Sequence, residues 1–378
     1  MKYFKPFIKG IKKPFKVLKV FLKQKAGWLD TPKIVPFKGY GNETDVFIQG
    51  MVIEDKGLAK PKDKHRFWTN MLSTIKRFSS DEIPGVKVSA TFLGESKTVE
   101  TDELGYFSFH FQFENKQDDL LTKEWHSIHF ELLDKIIENQ PRIHTTGEVR
   151  IVSHRQKRIL VSDIDDTIMI SHSTRILKKL RLMLLKNALT RSPFQGVSKF
   201  YRALTLGKEE AENNPFFYVS SSEWNLYDLL DDFFHFNHLP KGVFMLRKLK
   251  WSIYKFWKSG DGSHEHKFEK IKSLLEFYPE QKFILIGDSG QHDPVIYSRL
   301  AFEFPGRIET IFIRKIRKRT FFDGNENIGK KLKEVNTAYY EVKNTHEAAL
   351  AAARHGFIDE NYFENQTKKA REFTTNFQ

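Results

Sequence analysis

Cysteine is absent from this chain of 378 residues. Disulfides and thiolate metal sites are therefore excluded, and the histidines do not have zinc-finger spacing. No window holds the run of about 18 apolar residues that a membrane-spanning helix needs. The first residues lack the continuous apolar stretch of about 7–15 residues that a secretory signal carries. We therefore expect neither a spanning helix nor a cleaved signal, while the lack of cysteine does not decide the compartment.

Acidic residues are outnumbered by basic ones. Lysine and arginine total 62 against 48 aspartates and glutamates, which gives a net charge of +14. A chain with this charge is expected to meet an anionic partner, and nucleic acid and an acidic membrane surface are both candidates. With 40% hydrophobic and 29% charged residues, the chain is long enough for two or more domains with real cores.

The first 38 residues form a basic segment, called here the arm, in which no acid precedes Asp30. Pro14 suits a first helical turn, and apolar residues then recur at helical spacing among the lysines. Gly27 is a natural stop for this helix, and Trp28 is typical of a membrane interface. The pattern predicts a cationic amphipathic helix that lies in an anionic membrane surface. A basic helix that packs its apolar stripe on the protein's own body is the alternative. The apolar positions are Phe15, Leu18 and Leu22.

Residues 39–155 have the pattern of a small β-sandwich. Several short segments rich in β-branched and aromatic residues are separated by turns, and 106–113 alternates aromatic and polar residues as a half-buried strand should. A helix is predicted within this domain at 67–78. No catalytic set of residues is visible here, so an accessory role is expected.

Closely spaced acids follow the apolar run 158–161, where Asp163, Asp165 and Thr167 form a D-x-D-x-T pattern. If the chain is still extended at Asp163, both carboxylates face the same crevice. Two acids so close repel each other unless a cation lies between them, and Mg²⁺ prefers such oxygen ligands. One carboxylate could then attack phosphorus while its neighbour moves a proton. An ordinary acidic turn after a strand is the alternative.

Three later segments place polar groups at the ends of predicted elements. A strand at 216–219 ends at Ser220, a helix opens around Lys267, and a strand at 281–286 leads to Asp288 and Asp293. In an open parallel α/β sheet, ligands bind beyond the carboxyl ends of the strands. These side chains are therefore expected to reach the crevice that holds Asp163.

The ordered set resembles the haloacid dehalogenase superfamily of Mg²⁺-dependent phosphohydrolases. Four longer sequence segments resemble, more specifically, the catalytic domain of the actin-patch-protein type of phosphatidate phosphatase. They lie in the second half of the chain and read VSDIDDTI, FFYVSSSEWNLYDLL, HKFEKIKSLL and KFILIGDSGQHDPVIY. The resemblance implies hydrolysis of phosphatidate to diacylglycerol and phosphate. The stretch 169–172, after Thr167, matches the family pattern least well, so no role is assigned to His172.

The resemblance also implies a role for each motif residue. Asp163 would be the nucleophile that forms an aspartyl-phosphate, and Asp165 would protonate the leaving oxygen and later activate water. Ser220 and Lys267 would hold the transferring phosphoryl group. We assign substrate binding to Thr167, Ser221 and Arg247, and Mg²⁺ binding to Asp163, Asp165, Asp288 and Asp293.

Two segments between the motifs could contact a substrate. Residues 173–187 are strongly helical and predict a helical cap beside the site. Residues 247–258 interleave cations with aromatic side chains, which suits lipid headgroups, single-stranded nucleic acid or a half-buried structural edge equally well.

Together these patterns predict an α/β protein whose Rossmann-like parallel sheet of the haloacid dehalogenase type carries a helical cap and follows a small β-sandwich. The expected domains are the arm at 1–38, the sandwich at 39–155, the phosphatase domain at 156–345 and a helical tail at 346–378. The expected activity is Mg²⁺-dependent phosphatidate phosphatase, cytoplasmic and peripheral at an anionic membrane surface, with nucleic acid not favoured as a partner. A phosphatase of nucleic-acid ends or soluble metabolites, or a catalytically silent lipid-binding scaffold, remain the alternatives.

Overall fold

The structure is a computed structural model that describes residues 20, 22–55, 81–164, 168, 196–208, 212–247, 264–290, 292–316, 325–359 and 361. These residues form two compact units, which divide between Ser153 and His154. Several sequence predictions lie outside the described residues. They concern most of the arm, the helix at 67–78, His172, the helical cap at 173–187, the basic-aromatic segment beyond Arg247, and the end of the tail.

The N-terminal unit is built on one hydrogen-bonded sheet of eight strands. The strands are β1 (Pro32–Pro36), β2 (Gly39–Gly41), β3 (Asp45–Glu54), β4 (Lys87–Phe92), β5 (Glu95–Glu100), β6 (Tyr106–Gln112), β7 (Trp125–Leu132) and β8 (His144–Ile151). Hydrogen-bonded neighbours follow the path β1-β3-β2-β8-β7-β4-β5. Strand β6 lies off this path and pairs with β3 from Asp45↔Gln112 to Met51↔Tyr106. All pairs are antiparallel except β2 with β8.

The core of this unit follows the alternation of its strands. In β6 the aromatic residues at positions 107, 109 and 111 are buried, while the polar residues between them are more exposed. Inward-facing residues of β3, β4, β7 and β8 complete the same cluster. The alternation therefore places one face of the sheet inside and the other toward solvent. The division of these strands into a sandwich of two sheets stays a prediction.

The last part of the predicted arm contains a strand. Residues 32–36 form β1 and pair with β3 over the register Pro32↔Glu54 to Pro36↔Gly50. Two prolines lie within β1, which is at the edge of the sheet, where a missing N–H is tolerated.

The C-terminal unit contains a six-stranded sheet in which every pair is parallel. Its strands are β9 (Arg158–Asp163), β10 (Phe216–Glu223), β11 (Val243–Arg247), β12 (Lys282–Asp288), β13 (Ile308–Arg314) and β14 (Ala338–Val342). Its helices are α1 (Val197–Leu206), α2 (Tyr227–Phe236), α3 (His264–Phe277), α4 (Asp293–Glu303), α5 (Asn325–Leu332) and α6 (Thr345–Arg354). Strands β9, β10, β12 and β13 are almost continuously buried, as strands covered on both faces should be.

The strand order of this sheet is β11-β10-β9-β12-β13-β14. The chain moves from β9 outward to β11, returns to β12 on the other side of β9, and continues outward to β14. The order therefore reverses between β9 and β12, and a crevice beyond the carboxyl ends of the strands is expected there. These findings confirm the predicted α/β class and parallel sheet. Among the described residues, no helix is both long and apolar enough to cross a bilayer.

Candidate active site

The strand reversal brings the predicted motif residues to one edge of the parallel sheet. Asp163 is the last residue of β9 and lies beside Val219 of β10, so Ser220 follows one step beyond it. On the other side of β9, Ser162 pairs with Ile286, and Asp288 ends β12 two residues later. Neighbouring strands lie about 4.8 Å apart, so these strand ends meet in a single crevice.

Three carboxylates converge in this crevice. Asp163, Asp288 and Asp293 each offer an oxygen, and these oxygens all lie within 4.8 Å of one another. All three side chains are 0% exposed. Carboxylates so close and so deeply buried require a positive charge among them.

Part of that charge comes from Lys267, near the start of α3. Its Nζ donates to Asp163 Oδ1 at 2.9 Å and to Asp293 Oδ1 at 2.5 Å. Burial disfavours the ammonium, but attraction to the two carboxylates and the hydrogen bonds with them outweigh this, so the pKa of Lys267 is raised. Lys267 is therefore charged and bridges the nucleophile candidate to the β12–α4 loop.

The donor set fits a hard divalent cation. One ammonium among three carboxylates leaves two negative charges in this cluster, and Mg²⁺ prefers carboxylate oxygens together with water. Three of the four predicted ligands, Asp163, Asp288 and Asp293, thus lie together. The fourth, Asp165, lies outside the described residues, as does Thr167.

The loop that carries Asp288 and Asp293 is held by short backbone contacts. The Gly290 N–H donates to Asp288 Oδ1 at 2.6 Å, and the Asp288 N–H donates to Asp293 Oδ2 at 3.2 Å. A Cβ at Gly287 would lie 2.5 Å from Asp293 Oδ2 and 2.8 Å from the Tyr297 ring. Only glycine therefore allows β12 to approach the start of α4 so closely.

The predicted phosphoryl-binding residues lie at the ends of β10 and β11. Ser220 is 2% exposed, and its Oγ accepts a hydrogen bond from the Ser222 N–H at 3.0 Å. This bond fixes the position of the Ser220 oxygen, and a serine hydroxyl that accepts one hydrogen bond can also donate one. Ser221 is half-buried on β10, and Arg247 is the last residue of β11, in register with Glu223.

No role was assigned from the sequence to Tyr201 or Ser162, which support the site. Tyr201 of α1 is buried, and its hydroxyl lies 2.7 Å from Ser162 Oγ, which donates to the Asp163 carbonyl at 2.8 Å. Tyr201 must then be the donor to Ser162, so a chain of two hydrogen bonds holds the backbone of Asp163. Burial is the main cause that raises the pKa of Tyr201, which stays a neutral donor. No local pattern marks Tyr201, because its role depends on where α1 packs.

Comparison with known proteins gives one family for this part of the chain. The profile of the family described as phosphatidate phosphatase APP1, catalytic domain, matches residues 158–315. The phosphatidate phosphatase APP1 of Saccharomyces cerevisiae is 31% identical over 155 residues, which cover 41% of this chain and 25% of that protein. An uncharacterized protein of Schizosaccharomyces pombe is 27% identical over 281 residues, 71% of this chain and 43% of that protein. The chain thus spans less than half the length of either relative.

One solved structure shows only a weak likeness to this chain. A carbohydrate acetylesterase from Xanthomonas citri aligns with 86% of this chain and 75% of its own at 9% identity and a TM-score of 0.30. So low a TM-score carries no argument about fold or activity. The family match begins at the first residue of β9 and ends just after β13, so it contains every motif residue described above. Residues 158–315 of this chain are therefore similar to the phosphatidate phosphatase APP1 catalytic domain.

Proposed function

We propose that this chain is a Mg²⁺-dependent phosphatidate phosphatase with a catalytic domain of the haloacid dehalogenase type. The observation that carries the proposal is the buried cluster of Asp163, Asp288, Asp293 and Lys267 at the strand reversal, inside the segment that matches the family. Burying three carboxylates and an ammonium is costly for stability, and active sites are where such arrangements are kept.

In the proposed reaction Asp163 is the nucleophile. A carboxylate oxygen of Asp163 forms a bond to phosphorus while the bond from phosphorus to the lipid oxygen breaks, and Asp165 gives that oxygen its proton. Asp165 then takes a proton from water as the water oxygen attacks the phosphorus of the aspartyl-phosphate. Phosphate leaves and the Asp163 carboxylate is restored.

The remaining residues bind and orient the phosphoryl group. The Lys267 ammonium holds Asp163 and balances charge, and the Ser220 hydroxyl would donate to a phosphoryl oxygen. Phosphoryl transfer depends mainly on such positioning and charge neutralisation. Asp163, Asp288 and Asp293, with Asp165, would hold Mg²⁺, which would neutralise negative charge on the phosphoryl oxygens.

Phosphatidate as substrate is supported by the relative's name and by the charge of the chain. A net charge of +14 favours an anionic membrane surface. Two large apolar side chains near the end of the arm, Leu22 and Trp28, are 56% and 76% exposed, which suits contact with lipid. We accordingly propose that the protein binds peripherally at a membrane surface and is cytoplasmic.

The test is phosphate release from phosphatidate in mixed micelles, with and without Mg²⁺. The wild type is compared with Asp163→Asn, which keeps the side-chain shape but removes the nucleophilic charge, and with Asp118→Asn, an exposed aspartate of the N-terminal unit, as a matched control. We expect release that needs Mg²⁺, is retained by the control and is lost by Asp163→Asn.

Two other outcomes would point elsewhere. Cleavage of p-nitrophenyl phosphate but not phosphatidate would keep the site and replace the substrate with a soluble or nucleic-acid phosphomonoester. No turnover of either compound would favour a silent lipid-binding scaffold.

A further inference from the structure

A second lysine lies one helical turn beyond Lys267, on the same side of α3. Lys270 Nζ donates to the Met245 carbonyl at 2.5 Å and to the Ser220 carbonyl at 3.3 Å. Residues three apart on a helix lie on one face, so α3 directs both lysines toward the carboxyl ends of the strands. Lys267 reaches the acids of β9 and the β12–α4 loop, and Lys270 reaches the ends of β10 and β11.

The point that Lys270 reaches is where the ladder between β10 and β11 becomes irregular. The two strands pair in step up to Val219↔Met245, and the next recorded pair is Glu223↔Arg247. Four residues of β10 thus span the distance that two residues of β11 cover. An irregularity of this kind interrupts the hydrogen bonds between strands. The Lys270 amine bonds to one carbonyl on each strand at the point where that interruption begins.

The same stretch of β10 carries the phosphoryl-binding candidate. The Ser220 carbonyl accepts from Lys270, and the Ser220 hydroxyl accepts from the Ser222 N–H at 3.0 Å. The main chain and the side chain of Ser220 are thereby both held. Lys270 is half-buried between these two carbonyls, and its surroundings disfavour its positive charge. Burial, and then repulsion from Arg247 and Lys267, lower the pKa of Lys270 to about 7.

We propose that Lys270 is a positioning residue of the phosphoryl site, which joins the ends of β10 and β11 and so fixes where Ser220 and Arg247 meet the phosphoryl group. Lys270 acts through these two residues and does not itself touch the substrate. The proposal rests on the phosphatase function proposed above for its effect on turnover. Its structural part, the joining of the two strand ends, stands separately.

The test compares Lys270→Met with Lys272→Met, a more exposed lysine of the same helix whose ammonium pairs with Glu303. We expect Lys270→Met to lower kcat for phosphatidate about tenfold or more, because small displacements of positioned groups are costly in rate. We expect KM to change little, and the control to behave as the wild type. Lys270→Gln, which keeps a shorter donor, should recover part of the lost kcat.

A second readout does not depend on turnover. Amide hydrogen exchange should become faster at 219–223 and 243–247 in Lys270→Met, and remain unchanged there in the control. A wild-type kcat in Lys270→Met, or equal exchange in both variants, would overturn the proposal. If Lys270→Met does not fold, Lys270→Gln takes its place, with a lowered kcat expected and a wild-type kcat contradicting it. If the wild type itself has no turnover, the proposed function fails, and the exchange rates alone decide whether Lys270 joins the strands.

Discussion

The Lys267 ammonium supplies part of the positive charge that lets the buried carboxylates coexist. Lys267 donates to Asp163 and Asp293, and both acids are fully buried. Removing one partner of a buried ionic group usually costs about 3–5 kcal/mol, because the remaining charges lose their compensation. Lys267 should therefore be important for stability as well as for activity.

The variant Lys267→Met tests the charge balance of the cluster in the presence and absence of Mg²⁺. We expect the variant to have a lower Tm than the wild type and no measurable phosphatase activity. Because a divalent cation would supply part of the missing positive charge, the gain in Tm on adding Mg²⁺ should be larger for the variant. Differential scanning calorimetry measures both effects, with Lys272→Met as the control. An equal Mg²⁺ gain in both variants would count against a metal site at this cluster.

Lys270 provides a prediction about pH. Its pKa in the folded protein is about 7, below the ordinary value of 10.5. Between these values the unfolded chain binds a proton that the folded chain does not, so this lysine makes the free energy of unfolding rise with pH across that window. Lys270→Met should lack the contribution. Urea denaturation of both proteins at pH 7 and pH 9 measures it, and an identical pH dependence would contradict the lowered pKa.

At the scale of single residues, the sequence predicts those site residues that belong to motifs. The spacing of Asp163 and Asp165 and the strand-end positions of Ser220, Asp288 and Asp293 can be read without a structure, and the structure brings the described ones together. Tyr201 and Lys270 could not be found in this way, since their contacts depend on how α1 and α3 pack. Lys270 lies three residues after Lys267 and so on the same helix face, which was the one sign in the sequence that it could contribute to the site.

At the scale of elements, an ion-paired cluster fastens the end of the arm to the N-terminal unit. Lys23 Nζ donates to Glu54 at 2.8 Å and to Asp81 at 2.9 Å, and Glu54 is 0% exposed. Val20 lies in the core of this unit, so both the charge and the apolar side of this turn are docked. Val20 and Lys23 therefore dock on the protein's own body, whereas Leu22, the described residue of the predicted apolar stripe, is 56% exposed.

The docked turn predicts the effect of Lys23→Met. The change leaves the buried Glu54 carboxylate without its ammonium partner, so we expect the free energy of unfolding to fall by about 2–4 kcal/mol. Lys116→Met, an exposed lysine of the same unit, is the matched control and should stay within about 0.5 kcal/mol of the wild type. Guanidinium denaturation measures the difference. Equal stability of the two variants would show that the cluster does not fasten the turn.

Elements with a strong hydrophobic pattern in the sequence were predicted, whereas elements with a weak pattern were not. The alternation of β6 and the apolar runs of β9, β12 and β13 identified those strands, and the predicted edge strand at 339–342 and helix at 346–355 are confirmed as β14 and α6 within a residue or two. Strand β5 has the sequence ESKTVE and little buried surface, so its periodicity carried no signal. Strands β1 and β2 are short and contain proline or glycine, and only pairing with longer neighbours makes them strands.

At the scale of the whole molecule, positive charge and exposed apolar groups predict membrane binding. The Leu22→Ser, Trp28→Ser double variant removes the two exposed apolar side chains and keeps every lysine. We expect the wild type to sediment with vesicles that contain phosphatidylserine and less with phosphatidylcholine alone, because each lysine near an anionic surface contributes about 1 kcal/mol. The double variant should bind the anionic vesicles more weakly. Unchanged binding would mean that these two side chains do not enter the lipid.

Attack of the Asp163 carboxylate on phosphorus is tested most directly by trapping the acyl phosphate that it would form. Wild-type protein would be mixed with phosphatidate and Mg²⁺, quenched with acid and treated with borohydride, which reduces an acyl phosphate of aspartate to homoserine. Mass spectrometry of the peptides then locates the change. We predict homoserine at position 163 only when phosphatidate is present, and none in Asp163→Asn. Phosphate release without any homoserine, or homoserine at another aspartate, would contradict the account.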